Sequence, residues 1–320
     1  MKARPLLSVV VPVYEEEENV RPLYERIHRV LSEQGGDYEV IFVDDGSRDK
    51  TFGVLADVYR QNGRVKVIRL RKNFGQTAAM VAGFRHAKGR VIVSMDGDLQ
   101  NDPGDIPKLL AKLDEGYDLV CGWRRVRKDK LISRRVPSVV ANWLIGHITG
   151  VHIHDNGCSL KAYRADIIKR VALYSELHRF IPAMATLAGA RIAEIEVNHH
   201  PRVFGKSKYG IWRVWRVLLD IVLVKMLTGF AARPALWFGT LSVPGILLGG
   251  GSLIGILISG VGGVVGPAVA FLCLSLAGHL IAMGVLAEMV LRTGDFRPEW
   301  MLKGSRIETA GTGQVALGEA

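Results

Sequence analysis

Fifty-three consecutive residues, Ala235 to Ala287, contain no Asp, Glu, Lys or Arg, in a chain where those four types make up 23% of 320 residues. That gap excludes an ordinary solvated segment. A helix needs roughly 20 apolar residues to cross a bilayer, so the stretch has room for two spans, expected near 235–258 and 267–290. Gly260, Gly262, Gly263, Gly266 and Pro267 mark the connector between them. The alternative, a buried helical hairpin of a soluble protein, is disfavoured by the length. Cysteine is also scarce. Cys121, Cys158 and Cys273 are scattered without paired spacing, which excludes a disulfide framework and suits reduced thiols. A secretory signal is missing from the start: Leu6 to Val13 is apolar but runs into Tyr14 and four glutamates, with no small-residue cleavage site. The large N-terminal domain is therefore expected to stay in the cytoplasm.

Acid is in deficit, with 42 Lys and Arg against 31 Asp and Glu, a net charge of +11. The excess is local. Seven basic residues and one acid lie between Arg124 and Arg135, and seven basic residues and Asp220 between Arg202 and Arg233. Positive charge beside a span marks the cytoplasmic side, and Arg292 and Arg297 follow the second span, so both ends of the hairpin are expected there. The second cluster abuts the apolar stretch, where lipid headgroups and phosphates are nearer partners than nucleic acid. No nucleic-acid role is expected. Residues 211–233 mix Trp212 and Trp215 with Arg213, Arg216 and Lys225 on an apolar background, as a helix in the membrane interface does; a packing helix of the preceding domain would read the same way. Glu288, near the end of the second span, is one turn from Arg292 and expected to pair with it. From about Lys303 the chain is aperiodic and is expected to form a disordered tail.

The first half alternates short apolar runs with amphipathic segments. Leu7–Val13, Glu39–Val43, Val65–Leu70 and Val91–Met95 are near-continuous, as strands of a parallel sheet covered on both faces should be. Between them, Val20, Leu23, Ile27 and Val30 share one helical face, and Val54, Leu55 and Val58 another. The pattern predicts βαβ units, with ligands beyond the carboxyl ends of the strands. The turn after the first strand lacks glycine, which disfavours a hydride-transferring dinucleotide fold.

Acid sits at three of the strand ends. The fourth closes in Asp96-Gly97-Asp98-Leu99-Gln100. Two carboxylates one residue apart can face a common cation, Gly97 eases the turn between them, and Gln100 can add an amide oxygen. Hard divalent ions such as Mg²⁺ take one or two carboxylates plus substrate phosphates; such a site would neutralise the diphosphate of a nucleotide sugar. The second strand ends in Asp44-Asp45-Gly46-Ser47. Asp44 suits a base edge and Asp45 a ribose or the metal, although this sequence also makes a turn and a helix cap. Pro12, Tyr14 and Glu16 after the first strand would form the opposite wall of the nucleoside pocket. His178 and the pair His199–His200 are not at metal-ligand spacing, and structural roles are expected for them.

Taken in order, Val11-Pro-Val-Tyr-Glu-Glu, Val43-Asp-Asp-Gly-Ser, Lys72-Asn-Phe-Gly75, Met95-Asp-Gly-Asp-Leu-Gln, Gly122-Trp-Arg124, Asp155-Asn-Gly-Cys-Ser-Leu-Lys161 and Arg202-Val-Phe-Gly-Lys-Ser-Lys-Tyr209 resemble the family-two inverting glycosyltransferases of GT-A fold. The similarity covers about residues 1–230. It leans toward the dolichyl-phosphate mannose synthase-like branch, and within it toward the bacterial undecaprenyl-phosphate transferases. Glu15 departs from the pattern, where the family commonly carries Asn. The resemblance implies inverting transfer from a nucleotide sugar, UDP-linked on the bacterial branch and GDP-mannose on the other, to a polyprenyl phosphate, with Mg²⁺ or Mn²⁺ as cofactor. A phosphate monoester has a second pKa of about 6 and needs little general base. It does need cations, and Arg124, Arg134, Arg202, Lys206 and Lys208 are the candidates for the acceptor phosphate. Asp155 could orient the acceptor, act as base or pair with a basic residue; with Asp98 and Arg124 it completes the candidate catalytic set.

The expected organisation is a cytoplasmic GT-A domain over 1–210, an interfacial helix over 211–233, two transmembrane helices over 234–292 and a cytoplasmic tail over 293–320. It describes a multi-pass protein of the inner (plasma) membrane in contact with lipid. Gly249, Gly250, Gly251 and Gly255 permit close helix packing, compatible with a homo-oligomer. A processive polysaccharide synthase would carry a Gln-X-X-Arg-Trp signature and more spans, and neither is present. A non-catalytic membrane scaffold would have no need of Asp96 and Asp98 together.

Overall fold

A computed structural model describes residues 7–125, 145–147, 149–171, 173, 177–187, 189–201, 203, 234–260, 263–293 and 308–309. The chain divides into two compact units, Met1–Ile221 with Pro298–Ala320, and Val222–Arg297.

The first unit is built on a sheet ordered β7-β5-β6-β4-β1-β2-β3-β8. Four central strands, β1 (Leu7–Val13), β2 (Tyr38–Asp44), β3 (Val65–Arg69) and β4 (Val91–Ser94), run parallel. Every residue of β2 is buried, which is why its sequence lacks the alternation of a half-exposed strand. Helices α1 (Val20–Glu33), α2 (Thr51–Gln61) and α3 (Gln76–His86) connect these strands. α1 buries Val20, Leu23, Tyr24, Ile27 and Leu31; Val30, expected on that face, is half-buried. α3 packs where a Cβ on Gly83 would meet the side chains of Val10 and Val43, so glycine lets the helix lie close on the sheet.

The sheet is not wholly parallel, contrary to the repeated βαβ pattern. After β4 and α4 (Ile106–Asp114) come β5 (Leu119–Trp123) and then β6 (Lys161–Arg164), which inserts antiparallel between β4 and β5. α5 (Ala165–Ile168), α6 (Ile181–Leu187) and β7 (Ile192–Glu196) follow, β7 pairing parallel to β5. At the other edge β8 (Glu308–Thr309) pairs antiparallel with Ile68 and Arg69 of β3. Part of the tail expected to be disordered thus meets the backbone groups that an edge strand leaves unpaired.

The second unit holds α7 (Pro234–Ser259) and α8 (Val265–Thr293). Both are long and apolar enough to cross a membrane, with mean hydropathies of 2.0 and 2.2. They pack through small residues: a Cβ on Gly249 would lie 2.7 Å from Leu274 Cγ, and one on Gly284 2.8 Å from Phe238 Cβ. Glu288 Oε2 accepts the N–H of Ala235 at 3.3 Å, serving one of the donors that a helix start leaves unsatisfied. The Arg292 side chain expected to pair with Glu288, the interfacial segment 211–233, and Arg134, Arg202, Lys206 and Lys208 all lie outside the described residues.

Candidate active site

The loops at the carboxyl ends of β1 and β2 are tied to one another through backbone N–H groups. Asp45 N–H donates to Val13 O at 2.9 Å. Beyond β1, the N–H of Glu15 donates to Ser47 Oγ at 2.9 Å and that of Glu16 to Thr51 Oγ1 at 2.8 Å. The Glu16 carboxylate accepts from the Asn19 side chain. Glu15 adopts φ 52, a left-handed conformation in which Asn is favoured over most residues. The Asn that the resemblance implies at this position would suit that conformation.

Asp44 is fully buried. Its Oδ1 accepts the Ser47 N–H at 2.9 Å and its Oδ2 lies 3.4 Å from Arg69 Nε. Arg69 also stacks over the Phe52 ring. The carboxylate of Asp45, expected at a ribose or a metal, instead accepts the N–H groups of Phe74 at 2.8 Å and Gly75 at 2.9 Å. Burial pushes the Asp45 pKa up to about 6, with the Asp44 charge adding, while the two N–H bonds pull it down. Asp45 thus holds the chain leaving β3.

That chain and the β2–α2 turn enclose a cavity of about 760 Å³ lined by Tyr14, Ser47, Arg48, Arg69, Arg71 and Lys72, among others. Of the residues expected to wall a nucleoside pocket, only Tyr14 lines it. The four cations were missed in the sequence, although Arg69-Leu-Arg-Lys72 at the end of a buried strand signals an anion site.

The acidic end of β4 lies two strands from β2, with β1 between them. Asp96 Oδ1 accepts from Gln76 Nε2 at 2.7 Å, and the Asp96 N–H donates to Asn101 Oδ1 at 3.0 Å. Asp98 is buried and accepts the Gln100 N–H at 3.2 Å. Between them Leu99 is buried at φ 62, an uncommon conformation for a non-glycine residue. A Cβ on Gly97 would stand 2.7 Å from Val13 Cγ1, so only glycine passes there without shifting the Val13 side chain. Gln100 faces the segment after β7: its Nε2 lies 3.5 Å from His200 O, and its carbonyl accepts the His200 N–H at 2.9 Å. The histidines read as structural keep such contacts, His178 with Thr77 Oγ1 at 2.8 Å and His200 with Asp102 at 3.3 Å. Among the described residues no three His, Cys, Asp or Glu side chains gather as a metal cluster. Two carboxylates at one strand end still match a hard cation that completes its shell with phosphate oxygens.

Arg124, just past β5, meets Asp155 in a bidentate pair, Nε to Oδ2 at 2.7 Å and Nη2 to Oδ1 at 3.0 Å. Asp155 is 1% exposed and Arg124 15%. Burial opposes the guanidinium charge, but the nearby carboxylates of Asp155 and Asp96 hold it above its ordinary pKa. The Cys158 thiol beside it is itself raised by burial and stays neutral. Asn101 links the two regions, since its Oδ1 also accepts from Ser159 Oγ at 2.9 Å. The fold thus brings Arg124 and Asp155 within electrostatic reach of Asp96, residues separated by up to 59 positions in the chain.

Residues 8–172 match the model of the family described as Glycosyl transferase family 2. The chain is 45% identical over 314 residues to the dodecaprenyl-phosphate galacturonate synthase of Rhizobium johnstonii, covering 93% of this chain and 92% of that one. It is 37% identical over 291 residues to the undecaprenyl-phosphate 4-deoxy-4-formamido-L-arabinose transferase of Shewanella sediminis, covering 89% and 87%. Among solved structures, glucosyl-3-phosphoglycerate synthase from Mycobacterium tuberculosis in complex with Mn²⁺, UDP and phosphoglyceric acid aligns with a TM-score of 0.54 at 18% identity, over 70% of this chain and 78% of that one. At that identity the likeness establishes the shared GT-A fold.

Proposed function

The chain belongs to glycosyl transferase family 2, and from that premise we propose that it transfers a sugar, with inversion, from a UDP-linked donor to a polyprenyl phosphate at the cytoplasmic face of the inner membrane. The observation that carries the reading is Arg124, held by Asp155 and within electrostatic reach of Asp96. A cation for an anionic acceptor then lies beside the carboxylates that serve the donor. The relatives named for dodecaprenyl and undecaprenyl phosphate support a polyprenyl phosphate as that acceptor.

The donor's nucleoside diphosphate fits the basic cavity, where Arg48, Arg69, Arg71 and Lys72 offset its charge and Tyr14 flanks it. Asp96 and Asp98, with Gln100 beside them, suit Mg²⁺ or Mn²⁺, which when bound supplies positive charge to the departing diphosphate. Arg124 grips the acceptor phosphate, with Asp155 fixing the plane of its guanidinium. A phosphate oxygen attacks the anomeric carbon as the bond from that carbon to the diphosphate breaks, the electron pair leaving with the nucleotide. Attack opposite the leaving group inverts the centre. The phosphate is anionic near neutral pH and has no proton to lose, so alignment is the protein's main contribution.

In this reading residues 1–210 form the cytoplasmic catalytic domain, 211–233 lie at the interface and 234–292 form two spans. Arg134, Arg202, Lys206 and Lys208 add charge for the acceptor and for lipid headgroups.

The test incubates membranes holding the full chain with radiolabelled UDP-sugars and GDP-mannose and a polyprenyl phosphate, with and without chelator. Labelled lipid from a UDP-sugar is expected, lost with chelator and reduced at least 100-fold in Asp98→Asn, on the order of other losses of electrostatic stabilisation at a leaving group. Unchanged labelling by Asp98→Asn would sink the reading; labelling only from GDP-mannose would replace the donor.

A further inference from the structure

Beneath the loop that carries Asp155, two charged side chains are aligned across the sheet. Cys121 of β5 is paired with Lys161 of β6 on one side and with Glu194 of β7 on the other. Residues directly paired on neighbouring strands project to the same face. A buried ammonium, a buried thiol and a carboxylate therefore form one row. Lys161 is 2% exposed and the Glu194 side chain 12%.

The loop lies over this row with its backbone polarity sorted. Glu194 Oε1 accepts the N–H of Asp155 at 3.0 Å. Its Oε2 accepts the N–H of His154 at 3.1 Å and meets His154 Nδ1 at 2.7 Å. At the other end, Lys161 Nζ donates to the carbonyls of Asn156, at 3.2 Å, and Cys158. A carboxylate only accepts and an ammonium only donates. The amide N–H groups must then turn toward Glu194 and the carbonyls toward Lys161, which leaves one orientation for the loop. In that orientation the Asp155 side chain meets Arg124. His154 adds a second hold by stacking on Trp123, with ring centroids 4.4 Å apart.

We propose that Glu194 and Lys161 are positioning residues for the transfer, acting through Asp155 to set the plane of the Arg124 guanidinium. The inference rests on the reading of Arg124 as the group that holds the acceptor phosphate. A shift of about 1 Å in such a group costs on the order of 100-fold in rate even when the change lies away from the chemistry. Neither residue touches substrate in this scheme, so their effect should depend on Asp155 being present.

The experiment uses the full chain in membranes and compares Glu194→Gln, Glu194→Asp, Lys161→Met, Asp155→Asn, Arg124→Gln and the double variant of Glu194→Gln with Asp155→Asn. The readouts are kcat, KM for the nucleotide sugar, KM for polyprenyl phosphate, and Tm. Glu194→Gln and Lys161→Met are expected to lower kcat roughly 10- to 100-fold with the nucleotide-sugar KM unchanged. Glu194→Asp should recover part of the loss. On the Asp155→Asn background, Glu194→Gln should cost little more, because residues acting as a unit are non-additive. Wild-type kcat in Glu194→Gln and Lys161→Met, or a loss that multiplies that of Asp155→Asn, overturns the proposal. So does a loss that tracks a fall in Tm with both KM values rising together. Should Glu194→Gln fail to accumulate, Lys161→Met, alone and on the Asp155→Asn background, carries the same comparison. Full transfer by Asp155→Asn and Arg124→Gln would instead remove the underlying acceptor reading, which the single variants reveal by themselves.

Discussion

Gly46 lies against the backbone of Lys72: a Cβ on it would stand 2.7 Å from Lys72 Cα and 2.8 Å from Asn73 N, and its φ is +72. The turn after β2 and the segment after β3 thus meet backbone to backbone at the lining of the basic cavity. Gly46→Ala must force the two apart and adopt a left-handed conformation as well. We expect a loss of about 2 kcal/mol or more, read as a lower Tm, together with weaker UDP binding in a titration. Unaltered nucleotide affinity would show that the cavity does not depend on this contact.

Glu15 holds φ 52 with its N–H tied to Ser47. Replacing it by Asn should stabilise the protein by about 0.5–1 kcal/mol, because Asn tolerates this region better. A Tm below that of the native chain contradicts this account of the family's preference.

Asp45 gives the pH dependence a definite sign. Its folded pKa of about 6 lies above the ordinary value of 3.8, so between those values the folded protein keeps a proton that the unfolded chain has released. The contribution is fully present below pH 3.8 and is lost as pH rises through 6. It amounts to at most about 3 kcal/mol at 1.36 kcal/mol per unit. Tm measured from pH 4 to 7 should fall less steeply in Asp45→Asn than in the native chain. Identical slopes would refute the assignment.

The hairpin offers a paired comparison. Gly249 has Leu274 Cγ where its Cβ would go, 2.7 Å away, whereas Gly250 has nothing within 4 Å. Gly249→Val should lower the unfolding temperature in detergent, by an overpacking cost of about 1–3 kcal/mol, and Gly250→Val should leave it unchanged. Equal effects would mean that α7 and α8 do not pack through this glycine.

The four central strands were legible because each is largely buried and reads as a mainly apolar run, its interior carrying charge only at Glu39 in β2 and Lys66 in β3; the sequence boundaries of β1 match the structure residue for residue. The hairpin was legible from missing charge, its helices exceeding the expected spans by one to three residues at each end. β5, β6 and β7 were not read, since five, four and five residues carry too little pattern to reveal an antiparallel insertion. The acids at the strand ends stood out, but which of them are consumed by the fold did not. Asp45 is bonded to N–H groups 29 and 30 positions later, a distance over which local spacing says nothing. Glu194 and Lys161 escaped for the same reason, since only the register of β5 against both neighbours aligns them.

The burial of the thiols has a practical consequence. Cys121 and Cys158 are fully buried, and burial pushes the first up to about 12 and raises the second, so both persist as unreactive thiols. Cys273, on α8, is the third free cysteine and is partly exposed. The native sequence therefore carries one addressable handle. A lipid-permeant thiol reagent should attach in the hairpin alone, and its accessibility to quenchers dissolved in lipid or in water would test whether α8 lies in a bilayer, without a cysteine-free background having to be built.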